Sequence, residues 1–263
     1  MLAFYKYHGA GNDFILIDGR KNPVQLSQPQ IAFMCNRQKG IGADGLMLFK
    51  DSKNYDFEMK YYNSNGNEGS MCGNGGRCIV SFAYDLGIKK TEYQFMAIDG
   101  LHHSRILNSS ILERTIELDM IDVDSISIEN DTIYIIDTGS PHYLIFVENI
   151  KEIKVFDEGK KIRRSDRFKA EGINVNFIEE KGNQLFVRTY ERGVENETLA
   201  CGTGVTAAAI ASSIRQNLKY REFNIETLGG NLKVCFDIQS PYHFTNVKLT
   251  GPTSFVYQGE IDI

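Results

Sequence analysis

Met71-Cys72-Gly73-Asn74-Gly75-Gly76 and Ala200-Cys201-Gly202-Thr203-Gly204-Val205 are one short phrase written twice, 129 residues apart, and each opens a run that reads as an apolar helix. A phrase that recurs with the same element behind it marks a duplicated fold unit. Its surroundings recur too. The strand-like Phe57-Glu58-Met59-Lys60-Tyr61-Tyr62 ends at Asn63, and Leu185-Phe186-Val187-Arg188-Thr189-Tyr190 ends at Glu191, each shortly ahead of its cysteine. Further upstream, Gly42-Ala43-Asp44-Gly45-Leu46-Met47 aligns with Gly172-Ile173-Asn174-Val175-Asn176-Phe177, and the turn at Gly11-Asn12 with that at Ser140-Pro141. The shared order of strand, loop, cysteine and helix carries the duplication, because single glycine matches are common.

A chain of 263 residues is long enough for two domains that each bury a core. A formal net charge of -5 supplies no basic field for nucleic acid, so a small or zwitterionic partner fits better. The amino terminus Met1-Leu2-Ala3-Phe4-Tyr5-Lys6 lacks the apolar core of a signal peptide, and no run is long enough to cross a bilayer. A cytoplasmic protein is expected. Its five cysteines, Cys35, Cys72, Cys78, Cys201 and Cys235, are then reduced thiols. Cys35, Cys78 and Cys235 read as small buried hydrophobes, and Cys72 and Cys78 have the wrong spacing for a zinc site, so no metal is expected.

Alternating or apolar runs at Leu2–Tyr7 and Phe14–Ile17 read as strands. A helix follows, capped by Ser27, with Pro29 in its first turn and Ile31, Met34 and Cys35 on one face, ending at Gly40. The stretch Asn63-Ser64-Asn65-Gly66-Asn67-Glu68-Gly69-Ser70 is dense in turn formers and predicts a surface loop. From Cys72 a helix runs to about Leu86, with Ile79, Phe82, Ala83 and Leu86 on one face and Gly87 as its stop. The second cysteine helix carries almost no charge before Arg215 and calls for burial. Strand-like segments follow both helices, so each half reads as a β-sheet wrapped around a central helix, with a boundary near residues 115–125.

The chemistry follows from where a thiol sits when Cys-Gly-x-Gly begins a helix. The first N–H groups there lack intrahelical partners, and the aligned peptide dipoles put about half a positive charge at that end. Both a thiolate and a carboxylate held by glycine-bared amides are favoured there. The dipole supplies only ~0.3–1 kcal/mol, while one pKa unit is ~1.4 kcal/mol, so further proton partners are needed. Two such thiols suit inversion of a carbon next to a carboxylate, one removing a proton from one face and the other delivering one to the opposite face. No lysine is framed as a Schiff-base site and no dinucleotide fingerprint is present, so no cofactor is expected.

HGAGNDF at 8–14, MCGNGGRC at 71–78, YERG at 190–193, ACGTG at 200–204 and LTGPTSFVYQGE at 249–260 together resemble the diaminopimelate epimerase family over nearly the whole chain. YERG and HGAGNDF point to that branch rather than to the proline racemase or phenazine-type branches. The resemblance implies an α/β (α+β) fold of two pseudo-symmetric domains from an internal duplication, residues 1–115 with about 251–263 and residues 116–250. It implies pyridoxal-independent epimerisation of LL- to meso-diaminopimelate in lysine and peptidoglycan precursor synthesis, by a cytoplasmic homodimer. Carried onto this chain, it makes Cys72 and Cys201 the acid/base pair, with His142 and Glu191 as their proton partners. Gly73, Asn74, Gly202 and Thr203 would hold the reacting carboxylate, and Asn12, Asn63, Asn174, Glu191 and Arg192 the rest of the substrate, with Arg192 suited to a bidentate grip. Gly45 stands where many relatives have glutamine, and Ser140 where many have asparagine.

Other readings of single residues stay open: Asn12 and Asn63 as turn formers, Arg192 as a surface charge, His142 as a structural hydrogen-bonder. Two other functions do as well. A cofactor-independent racemase of another amino acid, such as histidine, would keep both cysteines and change the distal set. A non-catalytic amino-acid-binding paralogue would have little use for two thiols at helix starts.

Overall fold

Runs buried on both faces and strands with one polar side alternate along the chain, and the helices divide accordingly into enclosed and outer ones. The computed structural model describes residues 1–20, 24–69 and 71–263. Two compact units make up the chain, Met1–Leu118 with Gly251–Ile263, and Asp119–Thr250.

The first unit contains strands β1 (Leu2–Gly9), β2 (Asn12–Asp18), β3 (Gly45–Lys50), β4 (Phe57–Asn63), β5 (Glu92–Ala97), β6 (Gly100–Ser109) and β7 (Glu113–Asp119), with helices α1 (Gln28–Cys35) and α2 (Gly73–Asp85). The second contains β8 (Ile126–Asn130), β9 (Ile133–Asp137), β10 (Pro141–Phe146), α3 (Val155–Arg163), β11 (Asn174–Lys181), β12 (Gln184–Glu191), β13 (Asn196–Thr198), α4 (Gly202–Arg215), β14 (Glu222–Thr227) and β15 (Gly230–Ser240). The long β16 (His243–Ile261) pairs with β15 in the second unit, and past Gly251 with β7 and β1 of the first, so the first unit's sheet closes on itself.

The duplication shows in the pairing. β1–β2, β3–β4, β5–β6 and β6–β7 are antiparallel, while β2–β3 and β4–β5 are parallel. β9–β10, β11–β12, β14–β15 and β15–β16 repeat the antiparallel pairs, and β10–β11 and β12–β14 the parallel ones. This is an α+β fold, one mixed sheet around one enclosed helix per unit.

In the first unit Phe14, Leu16, Met47 and Phe49 line the interior, while Ile15, Ile17, Leu46 and Leu48 pack outward against Ile31, Met34 and Cys35 of α1. Strands covered on both faces read as continuous apolar runs, which is why Phe14–Ile17 shows no alternation. α2 is enclosed on every side from Gly73 to Ala83, and its Phe82 ring meets those of Tyr5, Tyr7 and Phe49. The single apolar face read from its sequence therefore understates its burial, because Arg77 and Ser81 are enclosed too. Gly87, at φ +97°, ends that helix. In the second unit α4 is buried from Gly202 to Ser213 apart from Thr203, and α3 packs outside against Val175, Phe177 and Tyr190.

Three sequence expectations need correction. Cys235 is half-buried rather than enclosed like Cys35 and Cys78. α1 stops at Cys35 rather than Gly40, because the Asn36 side-chain oxygen accepts from the N–H groups of Gln38 and Lys39, both at 2.9 Å, and turns the chain out of the helix. The alignment of Gly42–Met47 with Gly172–Phe177 is one residue out of step at the strands. A Cβ at Gly75 of α2 would meet the Met47 sulfur, and one at the corresponding Gly204 of α4 would meet Asn176. Met47 therefore matches Asn176 rather than Phe177, and a one-residue slip in a strand exchanges its faces. In the predicted surface loop, Asn63 and Asn67 close a turn around Gly66, and Ser70 lies outside the described residues.

Candidate active site

Each unit carries one cysteine at the same structural place. Cys72 has extended backbone and caps α2, its carbonyl accepting from Gly76 N–H at 2.7 Å, and Cys201 caps α4, accepting from Val205 N–H at 3.0 Å. Both are thiols. Gly73-Asn74 and Gly202-Thr203 form the first turns, the part of a helix whose backbone N–H groups lie beyond the reach of intrahelical carbonyls and favour an anion.

Around Cys72, the side chains are ordered by charge. Arg77, wholly buried, donates to Gly73 O at 3.1 Å and to Asn74 Oδ1 at 2.8 Å. That fixes the Asn74 amide, whose Nδ2 then donates to Asn12 Oδ1 at 3.2 Å, while Asn12 Nδ2 donates to Asp44 Oδ2 at 2.6 Å. The Asn12 oxygen is thereby turned toward Cys72 Sγ, 3.7 Å away. Asp44 is held by Arg37 at 2.7 Å, and Arg37 also pairs with Asp13 at 2.6 Å, as does Lys6 at 2.7 Å. Burial works against the charged form of Asp13, but the bonds from Arg37 and Lys6 outweigh it and hold its carboxyl down to about 2. Burial in turn lowers the Arg77 guanidinium to about 10. Asn63 ends β4 opposite Gly45, exposed to solvent. At Gly45 a side chain would collide with the Tyr61 ring, 2.5 Å from an added Cβ, so Tyr61 occupies the space a glutamine would need.

Beside Cys201 stand the neutral side chains of Thr203 and His142. The Cys201 sulfur lies 3.5 Å from Thr203 Oγ1, which lies 2.9 Å from His142 Nε2. His142 is wholly buried, and burial, helped by the Arg192 charge, pushes its imidazole down to about 3, so it is neutral. Asn176 stands behind it, and Thr138 donates to Thr203 O at 2.8 Å. Thr203 thus lies between His142 and Cys201. Asn174 Nδ2 donates to Ser140 Oγ at 2.8 Å and its Oδ1 accepts from Arg192 N–H at 2.9 Å, while Arg192 Nη2 reaches Ser140 Oγ at 3.3 Å. Ser140 thereby joins the Asn174–Arg192 cluster. Glu191 accepts from Thr198 Oγ1 at 2.8 Å.

Of the residues singled out from sequence, Asn12, Cys72, Gly73 and Asn74 come together in the first unit, while Asn63 ends β4, with β3 between it and β2. His142, Cys201, Gly202 and Thr203 form one cluster in the second, and Asn174 with Arg192 another beside Glu191. The sequence reading missed Asp13, Asp44, Arg37, Arg77 and Asn176. Only Arg77 left a signal, as a charge four residues past Gly73 in the first half of a helix whose other charge, Asp85, stands at its end.

The profile of the diaminopimelate epimerase family matches residues 4–109 and 134–256. The chain is 44% identical to the diaminopimelate epimerase of Flavobacterium psychrophilum, covering 99% of this chain and 100% of that protein. It is 39% identical to that of Chlorobaculum tepidum, over 97% and 99% of the two chains. Among solved structures, a phenazine biosynthesis protein of the PhzF family from Bacillus anthracis superposes with a TM-score of 0.78 at 14% identity, covering 100% and 99%. A hydroxyproline epimerase from Agrobacterium vitis does so with a TM-score of 0.68 at 14% identity, covering 99% and 90%. At such identities the likeness of the solved structures concerns the fold.

Proposed function

The chain belongs to the diaminopimelate epimerase family and is an isomerase, and on that premise we propose that it interconverts LL- and meso-diaminopimelate through the thiols of Cys72 and Cys201, without a cofactor. One observation carries the reading: a duplicated fold places a thiol at the N-cap of an enclosed helix in each unit, at matched positions. Inversion requires that a C–H bond break on one face of the α-carbon and form on the other. In this scheme one cysteine is thiolate and takes the α-proton, the other is thiol and gives its proton to the opposite face, and the reverse reaction exchanges the roles. The helix N-terminal amides at Gly73-Asn74 and Gly202-Thr203 stabilise the negative charge that builds on the substrate carboxylate.

The far end of the substrate carries a second amino-acid group. Arg192 suits its carboxylate, Glu191 its ammonium, and Asn12, Asn63 and Asn174 complete the polar lining. His142 acts on Cys201 through Thr203. The proposed setting is the cytoplasm, in lysine and peptidoglycan precursor synthesis, and the proposed assembly a homodimer; among the described residues no helix is long and apolar enough to cross a membrane.

The test is exchange of the α-proton of diaminopimelate with deuterated solvent by purified protein without added pyridoxal phosphate. Exchange on diaminopimelate supports the reading. Exchange on histidine or another amino acid, with none on diaminopimelate, transfers the function to a racemase of that substrate.

A further inference from the structure

A row of neutral polar side chains runs from the interior strands of the second unit to the sulfur of Cys201, and its hydrogen bonds can run in only one direction. Asn176 is wholly buried, and its Nδ2 lies 3.4 Å from Tyr143 O and 3.1 Å from His142 Nδ1. A backbone carbonyl can only accept, so that end of the amide is the NH2 group. Its Oδ1 accepts from Thr189 Oγ1 at 2.8 Å. His142 Nδ1, facing a donor, is the bare nitrogen, and the single proton of the neutral imidazole sits on Nε2. Nε2 donates to Thr203 Oγ1 at 2.9 Å, which leaves the hydroxyl proton of Thr203 to point at Cys201 Sγ, 3.5 Å away.

We propose that Asn176 is a positioning residue that fixes the tautomer of His142 and thereby holds the hydroxyl proton of Thr203 on Cys201 Sγ, stabilising the thiolate of that cysteine. The proposal deepens the reading of Cys201 as a proton-transfer group and rests on it.

The duplication supplies the control that packing alone cannot. Gly75 and Gly204 hold the same place in α2 and α4, and opposite them stand Met47 and Asn176. The strand neighbours of β3 and β11 are β2 and β10, which contribute Phe14 and His142 as the inward residues. All four side chains are fully buried. One fold thus fills the same positions with an apolar pair in the first unit and a polar pair in the second, so filling space does not require His142 or Asn176. Burying a polar pair costs free energy unless every hydrogen bond is made, and here the row ends on a thiol. Gly204 makes room for it, since an added Cβ would lie 2.4 Å from Asn176 Oδ1. Charged groups on this half of the site include Arg192, which disfavours protonation of His142, and Glu191, bonded to Thr198.

The row is read directly by nitrogen-15 NMR of the intact protein: His142 should show a protonated Nε2 and a bare Nδ1. The thiolate is read by ultraviolet titration of the Cys72→Ala protein, with Cys72→Ala/Cys201→Ala subtracted. Cys35, whose thiol burial pushes up to about 12, and Cys78, pushed higher still, stay silent in it. Thr203→Val should raise the Cys201 midpoint by about one unit, a tenfold change in proton affinity, and Thr203→Ser should restore it. His142→Phe/Asn176→Met, which copies the pair of the first unit, should raise it by a similar amount in a folded protein. A proton on Nδ1 of His142, or a Cys201 midpoint unmoved by Thr203→Val, overturns the proposal. No substrate enters either measurement, so a failure here is distinct from a failure to act on diaminopimelate.

Discussion

Gly75 and Gly204 differ only in what stands opposite them, and that difference sets the consequence of adding one methyl group. At Gly75 the obstacle is the Met47 sulfur at 3.2 Å, the pliable part of an adaptable side chain. At Gly204 it is the Asn176 oxygen at 2.4 Å, which accepts from Thr189 while the amide nitrogen is tied to His142. Gly75→Ala is expected to change unfolding free energy by less than about 1 kcal/mol, and Gly204→Ala to cost roughly 1–3 kcal/mol, both measured by urea denaturation. Equal losses would show that the Asn176 row yields as easily as a methionine. Residue types alone announced the two thiols, because cysteine before glycine at a helix start is rare and chemically pointed. They could not announce Asn176 or Asp44, since an asparagine in a strand and an aspartate in a loop are ordinary until their neighbours in space are known.

Among the elements, the strands that flank each enclosed helix carry charge in opposite ways. β10 buries a neutral His142, whose ordinary value of 6.5 is pushed to about 3. The unfolded chain therefore binds a proton that the folded one refuses, so stability should fall as pH drops from about 6.5 toward 3. His142→Phe, the residue type at the matching place in β2, should flatten that fall in a pH series of thermal denaturation; an unchanged slope would assign it to other groups. β2 contributes Asp13, held ionised down to about 2 from an ordinary 3.8. Its contribution is complete above about 4 and is lost as pH falls through about 2, so Asp13→Asn should remove the steepest part of the acid limb in the same series. Element order was legible from apolar runs and turn residues, since strands buried on both faces leave long apolar stretches. Element ends and strand faces were less so: Asn36 halts α1 through its own side chain, and a sequence match one residue out of step assigns Asn176 to the wrong side of β11.

For the whole molecule, two units of one topology each bring a helix-capping thiol and a differently wired surround. The duplication was visible from the repeated cysteine phrase, whereas the distinct wiring, amide oxygen beside Cys72 and hydroxyl beside Cys201, depends on side chains brought in from separate strands. Under the proposed two-thiol mechanism, neither unit inverts a stereocentre with its own thiol alone. Conversion of LL-diaminopimelate in deuterated solvent, followed for the wild type, Cys72→Ala and Cys201→Ala, puts this to the test. The wild type should form the meso isomer with solvent deuterium at the inverted carbon, and each variant should stay folded and lose inversion by several orders of magnitude. Turnover retained in either variant, or product formed with the original hydrogen in place, would contradict a two-thiol mechanism.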